Sequence, residues 1–275
     1  RNRRNIKDSK LSDSEIITIS IVGELLTIDS EKSFFSLLKR EYKELFPRLG
    51  DRTRFNRTKR NLHLVISKIR GYISEFMQLY SNNIRVIDSM PIPVCEFGRA
   101  HFSKCFKGEA SYGICASKKE TYFGFKFHAL TTVDGFLTDY VITPANIDDR
   151  NAVWDLCDKY RSISIIGDKG YINKRLTPEL KSERDIDLLF LKRANSRDNY
   201  PKEVRQLLFK VRRRIETSFS QLTEQLNLNK VKSKSMLGFI TRTSIKVLAH
   251  NISFLINKLM KNDDSMAKIK RLVFG

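Results

Sequence analysis

The apolar pattern of this chain changes period once, near residue 80, and that change constrains the fold more than any other feature of the sequence. Before it, apolar residues recur every three or four positions. Leu62, Val65, Ile66, Ile69, Ile73, Phe76, Met77 and Tyr80 form such a series, as one buried helix face requires. Ser12 and Glu15 make a capping-box signal ahead of the apolar run Ile16 to Leu26. A second helix is expected from Ser33 to Phe46, closed by Pro47 and Gly50, while Gly71 inside the third weakens its continuity.

Beyond residue 80 the runs are short and strand-like. Ile84-Arg85-Val86-Ile87-Asp88 reads as a buried strand ended by Ser89, Met90 and Pro91. Tyr122 to Val133 and Phe136 to Thr143 are rich in aromatic and β-branched residues, and Asp134-Gly135 between them predicts a hairpin. Helices are expected over Asn146–Lys159 and Asn173–Ser182, and strands over Ile163–Gly167 and Ile186–Leu191. A long helix follows Pro201, with apolar positions as far as Leu226, and a last one carries Ile245 to Leu259. Cys95 to Lys119 has little periodicity and reads as loop or weak strands. The order predicts an α/β domain, a mixed sheet flanked by helices, over residues 81–275, preceded by an all-helical region over 1–80.

Composition narrows the partners. The chain has 275 residues, and its formal net charge is +20. Hydrophobic residues at 41% exclude a disordered chain. No apolar run approaches the about 18 residues that cross a bilayer, and the opening residues lack the apolar core of a signal peptide. Four cysteines without a CxxC pair fit reduced thiols in a cytosol; Cys95, His101, Cys105 and Cys115 lack zinc-site spacing. The positive excess asks for a polyanion, nucleic acid above all.

Against that background a few acids stand out. Asp88 closes one expected strand and Asp168 another. If those strands are parallel neighbours, both carboxylates emerge at the sheet edge where open α/β sheets bind ligands. Glu216 lies on the long basic helix beside Ile215, at the rim of its apolar stripe, one turn after Arg212. Three hard-oxygen ligands suit Mg²⁺ or Mn²⁺, and two such ions about 4 Å apart would clamp a phosphoryl displacement. Each acid also has an ordinary structural role: Asp168 as a turn residue before Lys169-Gly170, Glu216 as half of a solvated helix ion pair.

Five stretches lift these acids out of anonymity: Val86-Ile87-Asp88-Ser89-Met90-Pro91, Gly124-Phe125-Lys126-Phe127-His128, Thr143-Pro144-Ala145-Asn146 with Asp148-Asp149, Gly167-Asp168-Lys169-Gly170-Tyr171, and Arg212-Arg213-Arg214-Ile215-Glu216. In order and spacing the chain resembles the DDE transposases of bacterial insertion sequences, whose catalytic domain has a ribonuclease-H-like fold. The string from Cys105 to His128 is most like the branch named after insertion sequence 982. The resemblance implies that Asp88, Asp168 and Glu216 are catalytic ligands of two Mg²⁺ or Mn²⁺ ions. It implies that Arg212 and Lys169 contact DNA beside them, and that the reaction is cleavage at transposon ends followed by strand transfer. The partners it implies are double-stranded DNA, as terminal inverted repeats and target, and a second copy of the chain. The implied setting is the bacterial nucleoid, in the cytoplasm and away from membranes. Two positions depart from the pattern: Phe209 and Thr223 stand where related enzymes often have Tyr and Lys, which leaves that role to residues such as Lys210 or Lys230.

Basic residues cluster around two places. Arg52, Arg54, Arg57, Lys59 and Arg60 follow a turn and would open the second helix of a helix-turn-helix, or simply begin a solvated basic helix. Residues 202–234 hold nine Lys or Arg around Glu216. Lys126 and His128 alternate with Phe125 and Phe127, so both polar groups share a strand face, expected to be the one bearing Asp88. They are candidate phosphate contacts, or an ordinary polar face. A stand-alone metal-dependent nuclease and a DNA-binding protein with inactive acids would use the same residues, and both stay open at this point.

Overall fold

A computed structural model describes residues 9–79, 82–115, 119–171, 173–190, 200–261 and 267–269. Tyr80 and Leu191, expected at the ends of a helix and a strand, and the side chain of Lys169 lie outside what is described. The chain divides into two compact units, one made of residues 1–73 and 222–275, the other of residues 74–221.

The first unit is helical. Helix α1 (Asp13–Leu25) opens on a reciprocal cap, in which the Glu15 N–H donates to Ser12 Oγ at 3.2 Å and the Ser12 N–H to the Glu15 carboxylate at 2.7 Å. Helices α2 (Glu31–Glu41) and α3 (Arg52–Asn61) are capped by Ser30 and Asp51. The second helix ends at Glu41, well short of Phe46. Helix α4 (His63–Phe76) continues through Gly71 without a break. At Gly23 a Cβ would come within 2.6 Å of the Phe34 ring, so a side chain there would push α2 off α1.

Helix α8 (Met236–Leu259) starts well before the expected Ile245 and packs on α1 and α3. Every residue from Thr241 to Asn251 is buried, including Arg242 and Lys246. Those cations are not bare. Lys246 Nζ donates to the Glu24 carboxylate and to the Leu226 carbonyl, and Arg242 pairs with Glu24 at 3.3 Å and donates to the Asp29 carbonyl at 2.9 Å. Burial pushes the Lys246 ammonium below its usual pKa, and the Glu24 charge pulls it back up.

The second unit is built on a mixed sheet. Strand β1 (Ile84–Pro93) pairs antiparallel with β3 (Glu120–Thr131) from Val86↔Thr131 to Pro93↔Gly124. The opposite edge of β3 carries β2 (Ser111–Cys115) and β4 (Leu137–Pro144) end to end. On its other side β1 pairs parallel with β5 (Ile163–Gly167), and β5 pairs parallel with β6 (Ile186–Phe190). The hairpin turn falls at the expected place, with Gly135 at φ +96°.

Short helices α5 (Ala152–Leu156) and α6 (Leu176–Arg184) cover one face, where Ile87, Leu130, Val153, Leu156, Ile165 and Leu180 share a core. The long helix expected over Asn146–Lys159 is thus a 3₁₀ turn, Asp149–Asn151, followed by five helical residues. Helix α7 (Lys202–Ser220) covers the other face, with Leu208 packed on Ile166 and Phe219 on the Phe127 ring, and gives way to a π-helical turn over Gln221–Gln225. A curled mixed sheet between two helical layers, in this strand order, is a ribonuclease-H-like fold.

Candidate active site

The pairing of β1 and β5 determines where the site can be. Their parallel register runs only from Ile84↔Ser164 to Val86↔Ile166, while β1 continues to Pro93 against β3. Asp88 therefore sits inside a strand and does not end one. Past Ile87 that strand has β3 on one side and no paired strand, among the described residues, on the other. Pro91, which reads in the sequence as a stop signal, and Pro93 both fit this edge. The Val94 N–H donates to the Phe123 carbonyl at 3.0 Å, so alternate residues Met90 and Ile92 turn toward β3, and the two prolines occupy positions whose N–H would face the unpaired side.

Asp168 follows directly from the end of β5, so the parallel pairing of β1 and β5 brings it to the same edge as Asp88. Gly167 is required for this approach, since a Cβ there would lie 2.9 Å from Ile87 and 3.3 Å from Tyr171. Helix α7 crosses the face on which Asp88 lies and supplies Arg212 and Glu216 one turn apart. The three acids come together around one group: Arg212 Nη2 lies 3.9 Å from Asp88, 3.7 Å from Asp168 and 3.3 Å from Glu216. No two of these oxygens can be farther apart than the sum of their two distances to that nitrogen. The Arg212 Nε is buried without a hydrogen-bond partner.

Charge is out of balance here, because one guanidinium faces three carboxylates. Asp88 feels it most. Burial raises its pKa to about 6; the Ser89 N–H, donating at 2.8 Å, and the Arg212 charge oppose this, and the charges of Asp168 and Glu216 add to it. All four side chains line one cleft of about 460 Å³, together with Ser89, Tyr122, Lys126 and Asp149.

Lys126 and His128 are not on the face of Asp88. Asp88 pairs with Ala129 across β1 and β3, so the even-numbered residues of β3 point to the opposite side. Lys126 reaches the cleft from there and is held by Asp149 at 2.8 Å and by the Ile147 carbonyl. His128 does not reach it. Its side chain is fully buried, its Nε2 lies 2.9 Å from Thr143 Oγ1, and burial drops its pKa to about 4, so it is neutral and inaccessible to a phosphate. Asp149, which the sequence showed only as part of a motif, belongs to the cleft: it accepts from Ser89 Oγ at 3.0 Å, and the Ser89 N–H in turn holds Asp88. The signal available in the sequence was its place two residues after Ile147 on the connection that follows β4.

The N-terminal cations divide. Arg52, Arg54 and Arg57 are exposed on α3, and Arg60 is half-buried. Lys59 is largely buried and ion-paired to Glu31, so the structure uses it to join α3 to α2 and does not leave it for a phosphate.

The donor set suits a divalent cation in kind, since carboxylate oxygens are hard ligands and their excess negative charge invites one. Among the described residues, no three acid, histidine or cysteine side chains yet stand close enough to share an ion. No helix described is long and apolar enough to cross a membrane. Comparison with curated proteins and with solved structures finds no match. Residues 79–236, more than half of the chain and the span that contains all three acids, match the family described as a transposase DDE domain. The chain belongs to the DDE transposase family.

Proposed function

We propose that this protein is a DNA transposase of the insertion sequence 982 type, from a bacterium, which cleaves transposon ends and joins them to target DNA. The observation that carries the proposal is the convergence of Asp88, Asp168 and Glu216, from a strand interior, a strand end and a helix, on a single guanidinium in an open cleft. Three elements far apart in the chain bring the same charge together. A helix cap or a surface ion pair needs no such convergence.

Asp88, Asp168 and Glu216 would hold Mg²⁺ or Mn²⁺, two ions in the full reading. Such ions polarise a phosphate and lower the pKa of bound water. The chain's own groups do the rest. Ser89 and Asp149 fix the Asp88 carboxylate, Lys126 offers a cation on the far wall of the cleft, and Arg212, which neutralises the three carboxylates here, would give them up where divalent ions bind. Exposed Arg52, Arg54 and Arg57 would grip the duplex phosphates, as would Arg60, with affinity that falls steeply as salt rises. Two ends must meet for joining, so two copies act together on DNA. The helical residues 1–80 would serve as the DNA-binding region and residues 81–275 as the catalytic domain.

The test is incubation of the chain with Mg²⁺ and DNA carrying both element ends and flanks, wild type beside Asp168→Asn. The expected result is cutting and joining by the wild type only, with DNA binding kept by both. Cutting without any joined product would reduce the protein to a nuclease. Equal behaviour of the two proteins would remove the acids from the chemistry.

A further inference from the structure

The segment between β1 and β3 holds a second surface, on which apolar side chains face water beside the acidic cleft. Strand β2 is short, lies at the edge of the sheet and alternates strictly, so Tyr112 and Ile114 share one face, 47% and 75% exposed. Phe97, 54% exposed on the 3₁₀ helix Phe97–Phe102, sets its ring edge-on to Tyr112 at 5.8 Å. The inner side of Tyr112 rests on the buried Phe123 ring at 5.0 Å, which fixes its orientation. Ile114 and Cys115 line the same cleft as Asp88, Asp168 and Glu216. The row Ile114, Tyr112, Phe97 therefore leads outward from the cleft wall. Phe102, 82% exposed, lies on the same segment, and Lys104 and Lys107 are exposed on the loop between.

Soluble proteins seldom leave such rings in water unless something binds them. Two features of this surface identify the occupant. The row is continuous with the cleft, and exposed cations accompany it, so what covers it is an extension of whatever enters the cleft and is negatively charged. Duplex DNA hides its base faces in its own stack; only unpaired bases can lie against a ring. Alternate side chains on a strand stand about 7 Å apart, close to two base-stacking steps at about 3.4 Å each. We infer that Phe97, Tyr112 and Ile114 form a stacking platform for unpaired nucleotides of the DNA strand whose phosphate lies in the acidic cleft. This rests on the reading of the chain as a protein that acts on DNA.

The experiment uses the full chain in EDTA, so that no cutting intervenes, and two DNAs: a blunt duplex and the same duplex with a short single-stranded overhang carrying 2-aminopurine. Anisotropy gives the affinities and 2-aminopurine fluorescence reports stacking. The wild type should favour the overhang DNA and change the fluorescence of its 2-aminopurine. The double variant Phe97→Ala with Tyr112→Ala should lose about tenfold in affinity for that DNA, and the fluorescence change, while binding the blunt duplex as before. Tyr112→Phe should behave as wild type. Equal weakening on both DNAs, no weakening on either, or a shift in oligomeric mass in place of a DNA effect would overturn the platform. Failure of the wild type to bind the blunt duplex would instead count against the DNA-acting reading beneath it.

Discussion

Each unit of the molecule gathers charged side chains, and the two gatherings are built on opposite terms. In the first unit Glu24 and Asp29 face Arg242 and Lys246, and Glu31 faces Lys59, so acids and cations roughly balance. Arg242 and Lys246 are buried, and a backbone carbonyl supplements the carboxylates at each. In the second unit three carboxylates share one arginine and open onto a cleft. A balanced, enclosed cluster can only hold the fold together. An acid-rich, open one is costly to the fold and has unused capacity for a cation. The difference lies in the arithmetic of charge and in exposure, since the residue types are nearly the same.

The strongest way to break this comparison is to remove one acid from the closed cluster. Glu24→Gln leaves Lys246 and Arg242 buried without their main counter-charge and should cost about 3–5 kcal/mol of stability, read from denaturant unfolding. A variant that unfolds like the wild type would show the closed cluster to be dispensable. The matching change in the open cluster, Asp168→Asn, should not lower stability and should lower cutting by at least about 100-fold, since even an outer-shell partner of a metal ligand is worth 10–100-fold. If that variant loses stability as well, the open cluster is also holding the fold.

Arg212 sharpens the contrast further. It stands where a cation would be wanted, so Arg212→Gln should raise affinity for Mn²⁺ by about tenfold, or roughly 1.4 kcal/mol, by calorimetry. Unchanged or weaker affinity would mean that the guanidinium does not compete. The smallest effect concerns pH. Asp88 is raised from 3.8 to about 6 in the folded protein, so between those values the folded state holds a proton that the unfolded chain has released. Stability from this group is complete below about pH 4 and is lost as pH rises through about 6. Without metal, Asp88→Asn should therefore melt above the wild type at pH 7, with a gap that shrinks toward zero as pH falls to about 4. A constant gap would detach the effect from titration.

Much of this arrangement could be read along the chain because it depends on local pattern. The apolar run Ile163–Gly167 gave β5 its limits and placed Asp168 at its end. The four-residue spacing of Arg212 and Glu216 gave their shared side of α7. What escaped depends on pairing. Pro91 reads as a terminator in isolation, and only the antiparallel register with β3 shows that β1 can absorb it and carry Asp88 in mid-strand. The face of Lys126 and His128 likewise follows from Asp88↔Ala129, which no alternation within one strand reveals. Helix α8 belongs with α1 and α3, more than 170 positions away in the chain, and its buried Arg242 and Lys246 make sense only beside Glu24. The exposed rings of Phe97 and Tyr112 lie in a segment without a period, so nothing in the sequence separated them from core aromatics.

Pro91 and Pro93 have one more consequence. A strand flank lined with carbonyls and amide protons is an invitation for any extended peptide to zip onto it, including the same strand of a neighbouring molecule. With two of its donors missing, the flank of β1 next to Asp88 cannot complete such a ladder. The groove is thereby kept from being filled by a pairing strand.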